Sequence, residues 1–533
     1  MFKPGMRRFE CLRGLARRES VGLCLVLFLA LALRLWGSRF SLPYVHHPDE
    51  PATINVTARM LQNGELNPHF FHWGTAYFYL VALMYVPYFL AGVVLGCFHS
   101  RLDLALVEQY VLGVGYIALP TEVWVTRLVS IVLGVGTVWL VYLMGRAQYN
   151  HKAGILAAAL LATSPAHAMQ SHFAVPDVPM IFFLCVSVLY AIRWARDGRC
   201  GDSLWAGFWG GLAAATKYNA AGLILSVLGA AHLLRYGRRA WRKPDILWAG
   251  GGAVIGFVLG VPGTIIATQE FGEGLAFTMR HYSSGHAGME GDSLLFYLRF
   301  LASQGLLPLL AIGGMIWGLG RRDRAPVLLS IVTLFYFGLI STYIVRNDRT
   351  ILPLFPLMAV LGGAALTWAN EWLNQFCHLA RSIRELLVLT MLLITFLPPL
   401  VKTVSANRNL VQRDAQTLAR DWIIAHIPTG TVIAGEAYTA VLHPTEYKTI
   451  YVHNATDHPK AWYCEQGAEY VVMSEMAHGR FFADPARYPT QVQSYERLMA
   501  ELELVHEIRG TFLGYPDSSV YVFRVPCDDW VDE

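Results

Sequence analysis

The chain has 533 residues, of which 55% are hydrophobic and only 15% charged, and its mean hydropathy is +0.40. Apolar runs recur along about three quarters of the length, which excludes an ordinary soluble enzyme and predicts a polytopic helical membrane protein. The net charge of +4 is small for this length, and Lys and Arg lie in short clusters between apolar runs, where they read as topology signals; no nucleic-acid role follows.

The N-terminus carries Lys3, Arg7, Arg8, Arg13, Arg17 and Arg18 ahead of an apolar core, but no small-residue cleavage site follows LFLALALRLWGSRF. It reads as an uncleaved first span with a cytoplasmic N-terminus. The loop 38–74 then sets Asp49 and Glu50 at the membrane exit, in YVHHPDEPATINVTARMLQNGELNPHFFHWG (44–74).

Further spans are predicted near 75–97, 104–122, 124–145, 153–172, 178–194, 204–216, 219–234, 246–267, 299–319, 326–345, 351–370 and 386–401. The basic loops RWARDGR (193–199), RYGRRAWRK (235–243), GRRDR (320–324) and HLARSIRE (378–385) belong inside, which puts 38–74, Asp177, Lys217, 268–298 and Arg346 outside. Glu108, Gln109 and Glu122 make 104–122 a poor span. It and 75–97 read equally as interfacial or re-entrant, which lowers the count from thirteen to eleven and leaves the later parity unchanged. The short pair 204–234, hinged at TKYN, suggests a cavity there.

Beyond residue 401 charge rises. DAQTLARDWIIAHI reads as an amphipathic helix, and GTVIAGE, AEYVVMS and SVYVFRV as short strands. The division is therefore a transmembrane part, 1–401, and a soluble α/β domain, 402–533, on the same outer side as Asp49. Of the eight cysteines, most fall in apolar runs and read as small hydrophobes; only Cys464 and Cys527 share the polar C-terminal region, where a disulfide is one option.

Polar residues near membrane level are costly unless they face a cavity or a partner. Asp49 and Glu50 suit general base catalysis, and equally suit the acidic first turn of a helix beginning at Pro48-Asp49-Glu50-Pro51. Lys217, Arg346 and Arg349 suit a phosphate at the outer boundary, or snorkelling from helix ends. His46, His47 and His172 lack the helical spacing of a metal site, so polar loop packing is favoured and no metal is expected.

Taken in order, LALRLWG, the Asp-Glu pair, RLVSIVLGVGTVWLVYLMGR (127–146), ALLATSPAHAMQSHFAVPDVPMIFF (159–183), GGLAAATKYNAAGL (210–223) and RNDRTILPLFP (346–356) resemble the GT-C superfamily of membrane glycosyltransferases. The nearest likeness is to the protein O-mannosyltransferase and lipid A aminoarabinose transferase group. The resemblance implies a GT-C fold of about 11–13 spans. It also implies an inverting transfer of a sugar from a polyprenyl-phosphate carrier, on the outer face of a prokaryotic cell membrane, to a protein, lipid or glycan acceptor. It further implies that Asp49 is the base, that Asp177 is a second functional acid, and that Lys217 and Arg346 meet the carrier phosphate; Glu50, from its place beside Asp49, and Arg349, from its charge on the outer side, complete the catalytic and phosphate candidates. His46, His47, His172 and Tyr218 are then substrate-contact candidates. No cofactor is expected, because two or three cations can neutralise a monophosphate leaving group. One departure is that Ala52 and Thr53 stand where relatives often place an aromatic. The rival classes are a transporter or lipid flippase, which predicts paired repeats that are not evident, and a catalytically silent scaffold of the same fold.

Overall fold

The computed structural model describes residues 4–376, 380–510 and 518–527. Among the described residues six helices are long and apolar enough to cross a membrane, or up to seven if the bent pair Ser293–Ala302 and Leu307–Arg321 is one span. The chain is an integral membrane protein.

Eleven helices alternate between the two ends of the bundle among the described residues: Pro4–Leu35, Pro120–Gln148, His151–Ala162, Asp177–Asp197, Cys200–Thr216, Ala220–Tyr236, Asp245–Gly260, Leu307–Arg321, Arg324–Ser341, Leu354–Phe376 and Arg381–Val411. At one end three of the predicted inside loops, 193–199, 235–243 and 320–324, meet. Arg196 pairs with Asp323 at 2.8 Å, Arg235 donates to the Arg196 carbonyl at 2.6 Å, and Arg324 donates to the Ala195 carbonyl at 2.9 Å. The opposite end gathers the first loop, Asp177, the TKYN hinge and Arg349.

Residues 104–122 correct the first span list: they are not a span. Glu108–Val111 and Val114–Tyr116 form a hairpin that pairs with Tyr44–Val45, so the chain is back at the first loop before helix Pro120–Gln148 begins. The preceding apolar helix, Ala76–Val94, starts where Thr75 donates to the Gly260 carbonyl at 2.8 Å and returns through Asn55, whose side chain brackets Val107 at 2.7 and 2.9 Å. Both of its ends therefore lie at the site end, and it belongs with the interfacial alternative. Its outward face, Leu83, Val86, Leu90 and Val94, is exposed and apolar.

Hydrophobic burial cannot bring helices together inside lipid, so close backbone approach has to. Helices Cys200–Thr216 and Asp245–Gly260 achieve this with reciprocal glycines. A Cβ on Gly207 would stand 1.8 Å from the Ala249 carbonyl oxygen, and one on Gly252 would stand 2.2 Å from that of Leu204. This pair carries Lys217 at the end of the bundle that gathers the first loop.

The C-terminal domain is a five-stranded sheet. Val432–Gly435 pairs in parallel with Lys448–Tyr451 on one side and Tyr470–Ser474 on the other; Val520–Arg524 and Glu503–Ile508 follow antiparallel. These strands are rich in Val and Ile because both sheet faces are covered. Helix Ala415–His426 packs Ala419 and Ile423 on one face, and helices Lys460–Glu465 and Pro489–Glu501 bury Tyr463 and Tyr495 on the other. Cys464 and Cys527 are disulfide-bonded. The domain docks on the site end: the Tyr438 N–H donates to the Leu112 carbonyl at the hairpin tip (2.9 Å), and the Tyr488 hydroxyl meets Glu290 Oε2 at 3.1 Å. The chain end at Glu533 lies outside the described residues.

Candidate active site

Asp49 immediately precedes helix Glu50–Asn63, yet its side chain makes no capping hydrogen bond. It turns instead toward Arg349, whose NH1 donates to Oδ2 at 2.6 Å. Arg349 is held in a short helix, Asp348–Ile351, by the Asn347 side chain, which accepts from the Arg349 N–H at 2.9 Å. Its guanidinium also stands 3.9 Å from Asp177, which begins helix Asp177–Asp197, and Lys217 Nζ donates to the other Asp177 oxygen at 2.7 Å. Charges thus alternate from Asp49 through Arg349 and Asp177 to Lys217.

Burial pushes the Asp49 carboxyl up, but Arg349, with His47 and Lys217 behind it, more than offsets this and holds the group at about 2. Burial lowers His47. Its Nδ1 accepts the Asp49 N–H at 3.2 Å, and its ring packs on Phe173 at 4.8 Å, so it steadies the backbone of Asp49.

Glu50 has a different environment from its neighbour. Fully buried, it receives Arg127 in a two-point pair, Nε to Oε1 at 2.8 Å and NH2 to Oε2 at 2.7 Å, and the Ala174 N–H at 2.8 Å. Arg127 NH1 also donates to the Ser38 and Phe40 carbonyls, at 3.0 and 3.1 Å. A buried ion pair is tolerable only when its remaining valences are met, and here they are. Burial raises the Glu50 carboxyl, and Arg127 reverses that and lowers it below the ordinary range.

Asp49, Asp177, Lys217 and Arg349 line a cleft of about 300 Å³ together with His72, Trp73, Tyr218, Asn219, Phe277 and Thr278. The His72 ring stacks on Phe277 at 4.1 Å, and Thr278 donates to the His72 carbonyl at 2.6 Å, so helix Thr268–Ser284 forms one wall. Four buried polar atoms on the lining have no hydrogen-bond partner among the described residues: Trp73 Nε1, Asp177 Oδ2, Tyr218 Oη and Asn219 Oδ1. An unpaired buried polar atom costs roughly 1–3 kcal/mol. A cleft lined by four of them is suited to a ligand that both donates and accepts hydrogen bonds.

Of the other residues named from sequence, Arg346 lies outside this lining, with its guanidinium over the Phe296 ring at 5.4 Å. His46 Nδ1 faces Asp414 Oδ1 at 3.1 Å, and His172 bridges the Trp36 and Ala168 carbonyls at 3.0 and 2.9 Å; both brace the loop rather than line the cleft. Sequence reasoning missed Arg127, Trp73 and Asn219. The signals were a lone Arg at the head of an apolar run, and HWG and TKYN as polar interruptions between helices.

This bundle with its C-terminal α/β domain has the GT-C fold. Residues 103–265 match the family model described as dolichyl-phosphate-mannose-protein mannosyltransferase. Among solved structures, the chain is similar to the oligosaccharyltransferase of Archaeoglobus fulgidus (TM-score 0.54, 14% identity, 89% of this chain and 72% of that one). It is also similar to ArnT of Cupriavidus metallidurans in the apo state (TM-score 0.53, 16% identity, 93% and 97%) and bound to undecaprenyl phosphate (TM-score 0.51, 14% identity, 96% and 98%). No curated protein sequence matches the chain.

Proposed function

We propose that the protein is an inverting glycosyltransferase that moves a sugar from a polyprenyl-phosphate carrier to a protein, lipid or glycan acceptor on the outer face of the membrane. The observation that carries this reading is the alternating chain from Asp49 to Lys217 around a cleft whose polar atoms are unspent. The carrier is supported by the undecaprenyl phosphate bound to the similar ArnT and the dolichol-phosphate bound to AglB of Archaeoglobus fulgidus.

In this reaction the acceptor's hydroxyl or amine attacks the anomeric carbon from the side away from the phosphate. Asp49 takes its proton, and the bond from carbon to phosphate oxygen breaks with its electron pair left on the phosphate. Lys217 and Arg349 offset the charge that develops, a role two cations fill without a metal. Asp49 is a weak base while Arg349 grips it. A donor phosphate that draws the guanidinium away makes the carboxylate more basic at the moment a base is needed. Asp177 holds both cations in place, and Glu50 with Arg127 fixes the start of the helix that carries Asp49.

The test is transfer from a radiolabelled polyprenyl-phosphate sugar by the purified protein, with Asp49→Asn as the inactive control. Full turnover by Asp49→Asn and Asp177→Asn alike would overturn the reading.

A further inference from the structure

A second cleft, of about 760 Å³, opens where helices Pro4–Leu35 and Arg381–Val411 both leave the bundle, on a side that does not include Asp49. Its lower wall is Trp36, Leu410 and Val411, and below it the two helices present exposed apolar side chains on the same faces, Phe28 and Val404. Its rim is basic and aromatic. The Arg39 guanidinium lies 4.7 Å over the Trp124 ring and has no carboxylate partner among the described residues, whereas the other charges of the lining are committed, Arg413 to Asp421 and Asp414 to His46. The Ser41 hydroxyl is buried on the wall without a hydrogen-bond partner. One free cation, one free hydroxyl and a Trp-lined mouth, set above an apolar groove between two membrane helices, match an amphiphile with a single anionic head.

We infer that this cleft holds the headgroup of an anionic glycerophospholipid of the surrounding bilayer, with the phosphate at Arg39 and Ser41 and the acyl chains over Phe28 and Val404. The site is independent of the sugar chemistry. It nevertheless borders it, since Arg127 holds the Ser38 and Phe40 carbonyls of the wall with the same guanidinium that grips Glu50.

The test is native mass spectrometry of the full chain titrated with phosphatidylglycerol or phosphatidylcholine. Phosphatidylglycerol is expected to be retained preferentially. Arg39→Ala should weaken that retention about five-fold, the effect of one basic residue at an anionic membrane surface, while Arg39→Lys restores most of it. Arg408→Ala, which removes an exposed cation outside the cleft, should change nothing. Equal retention of the two lipids, or equal phosphatidylglycerol retention by wild type and Arg39→Ala, would overturn the inference. So would glycerol phosphate alone binding as tightly as the whole lipid, which marks a soluble-anion site instead.

Discussion

His46 Nδ1 lies 3.1 Å from Asp414 Oδ1 with both side chains buried, and this contact ties the loop that carries Asp49 to the residue that precedes helix Ala415–His426 of the C-terminal domain. The same carboxylate caps helix Ala415–His426 by accepting the Thr417 N–H at 2.8 Å. Burial raises the Asp414 carboxyl, but His46 and the Thr417 hydrogen bonds hold it far below the ordinary range. A depressed carboxyl contributes stability that is present above its unfolded pKa, ~4, and is lost as pH falls toward the folded value. Thermal melts between pH 6 and 2.5 should therefore show the C-terminal domain loosening below about pH 4. Asp414→Asn, which keeps a capping oxygen, should flatten that dependence, and Asp414→Ala should in addition lose about 1 kcal/mol of cap.

Adjacent carboxylates should fail in different ways. Asp49→Asn should lower transfer on the order of 10²-fold with the melting temperature unchanged, as removal of a general base does. Glu50→Gln leaves Arg127 buried without its counter-ion, and the expected signature is a loss of about 3–5 kcal/mol of stability. Measuring turnover and melting on both variants separates the roles; an active Asp49→Asn beside a stable, inactive Glu50→Gln would exchange them.

Donor binding should weaken by roughly 1.5–3 kcal/mol in Lys217→Ala and in Arg349→Ala, the range for hydrogen bonds to a charged group. Arg346→Ala should change it less, because that guanidinium is stacked on Phe296 outside the cleft. Equilibrium binding of a polyprenyl phosphate to the three variants checks the order. Unchanged affinity in both Lys217→Ala and Arg349→Ala would return these cations to a structural role.

Arg349→Ala should also move the acid limb of the pH profile. With the guanidinium gone, only His47 and Lys217 still oppose burial, and the Asp49 carboxyl should rise from about 2 toward the ordinary ~4. A kcat/KM profile from pH 3 to 8 should then show the loss of activity beginning at a higher pH in the variant than in the parent. Coincident limbs would mean that Arg349 does not set the state of Asp49.

The proposed outer site requires the two chain ends to lie on opposite sides of the membrane, as an odd number of crossings gives. Reporters active on only one side, fused at Met1 and Glu533, should give opposite signals, with the C-terminal one outside. Two cytoplasmic signals would separate the C-terminal domain from the outer face and overturn the proposed orientation of the site.

Most of the helices were legible because apolar runs and basic loops obey one-dimensional rules, and the strands of the C-terminal domain were legible from their Val-rich runs. Helix Ala76–Val94 was not decided by its own residues. It is as apolar as a true span, and only the Thr75 bond to Gly260 and the pairing of 114–116 with Tyr44–Val45 show that it comes back. The candidate site divides in the same way. Asp49, Asp177, Lys217 and Arg349 stand out as charges in apolar surroundings, but what distinguishes Asp49 from Glu50 is the direction each takes at the start of one helix, and the partner of Glu50 lies 77 residues away. Trp73 and Asn219 carry no charge to announce them, and their importance comes from hydrogen bonds they do not make.

Arg349 and Asp49 are 300 residues apart in the chain. At ~5–20 residues per second, synthesis takes roughly 15–60 s to cover that distance. For that interval the emerging loop carries its carboxylate without the cation that keeps it ionised at low pH, and the cleft has only part of its rim. The centre is therefore closed late in biogenesis, by the insertion of the short helix Asp348–Ile351 against a loop already waiting at the membrane surface. A chain stalled before that point would present Asp49 without its Arg349 partner.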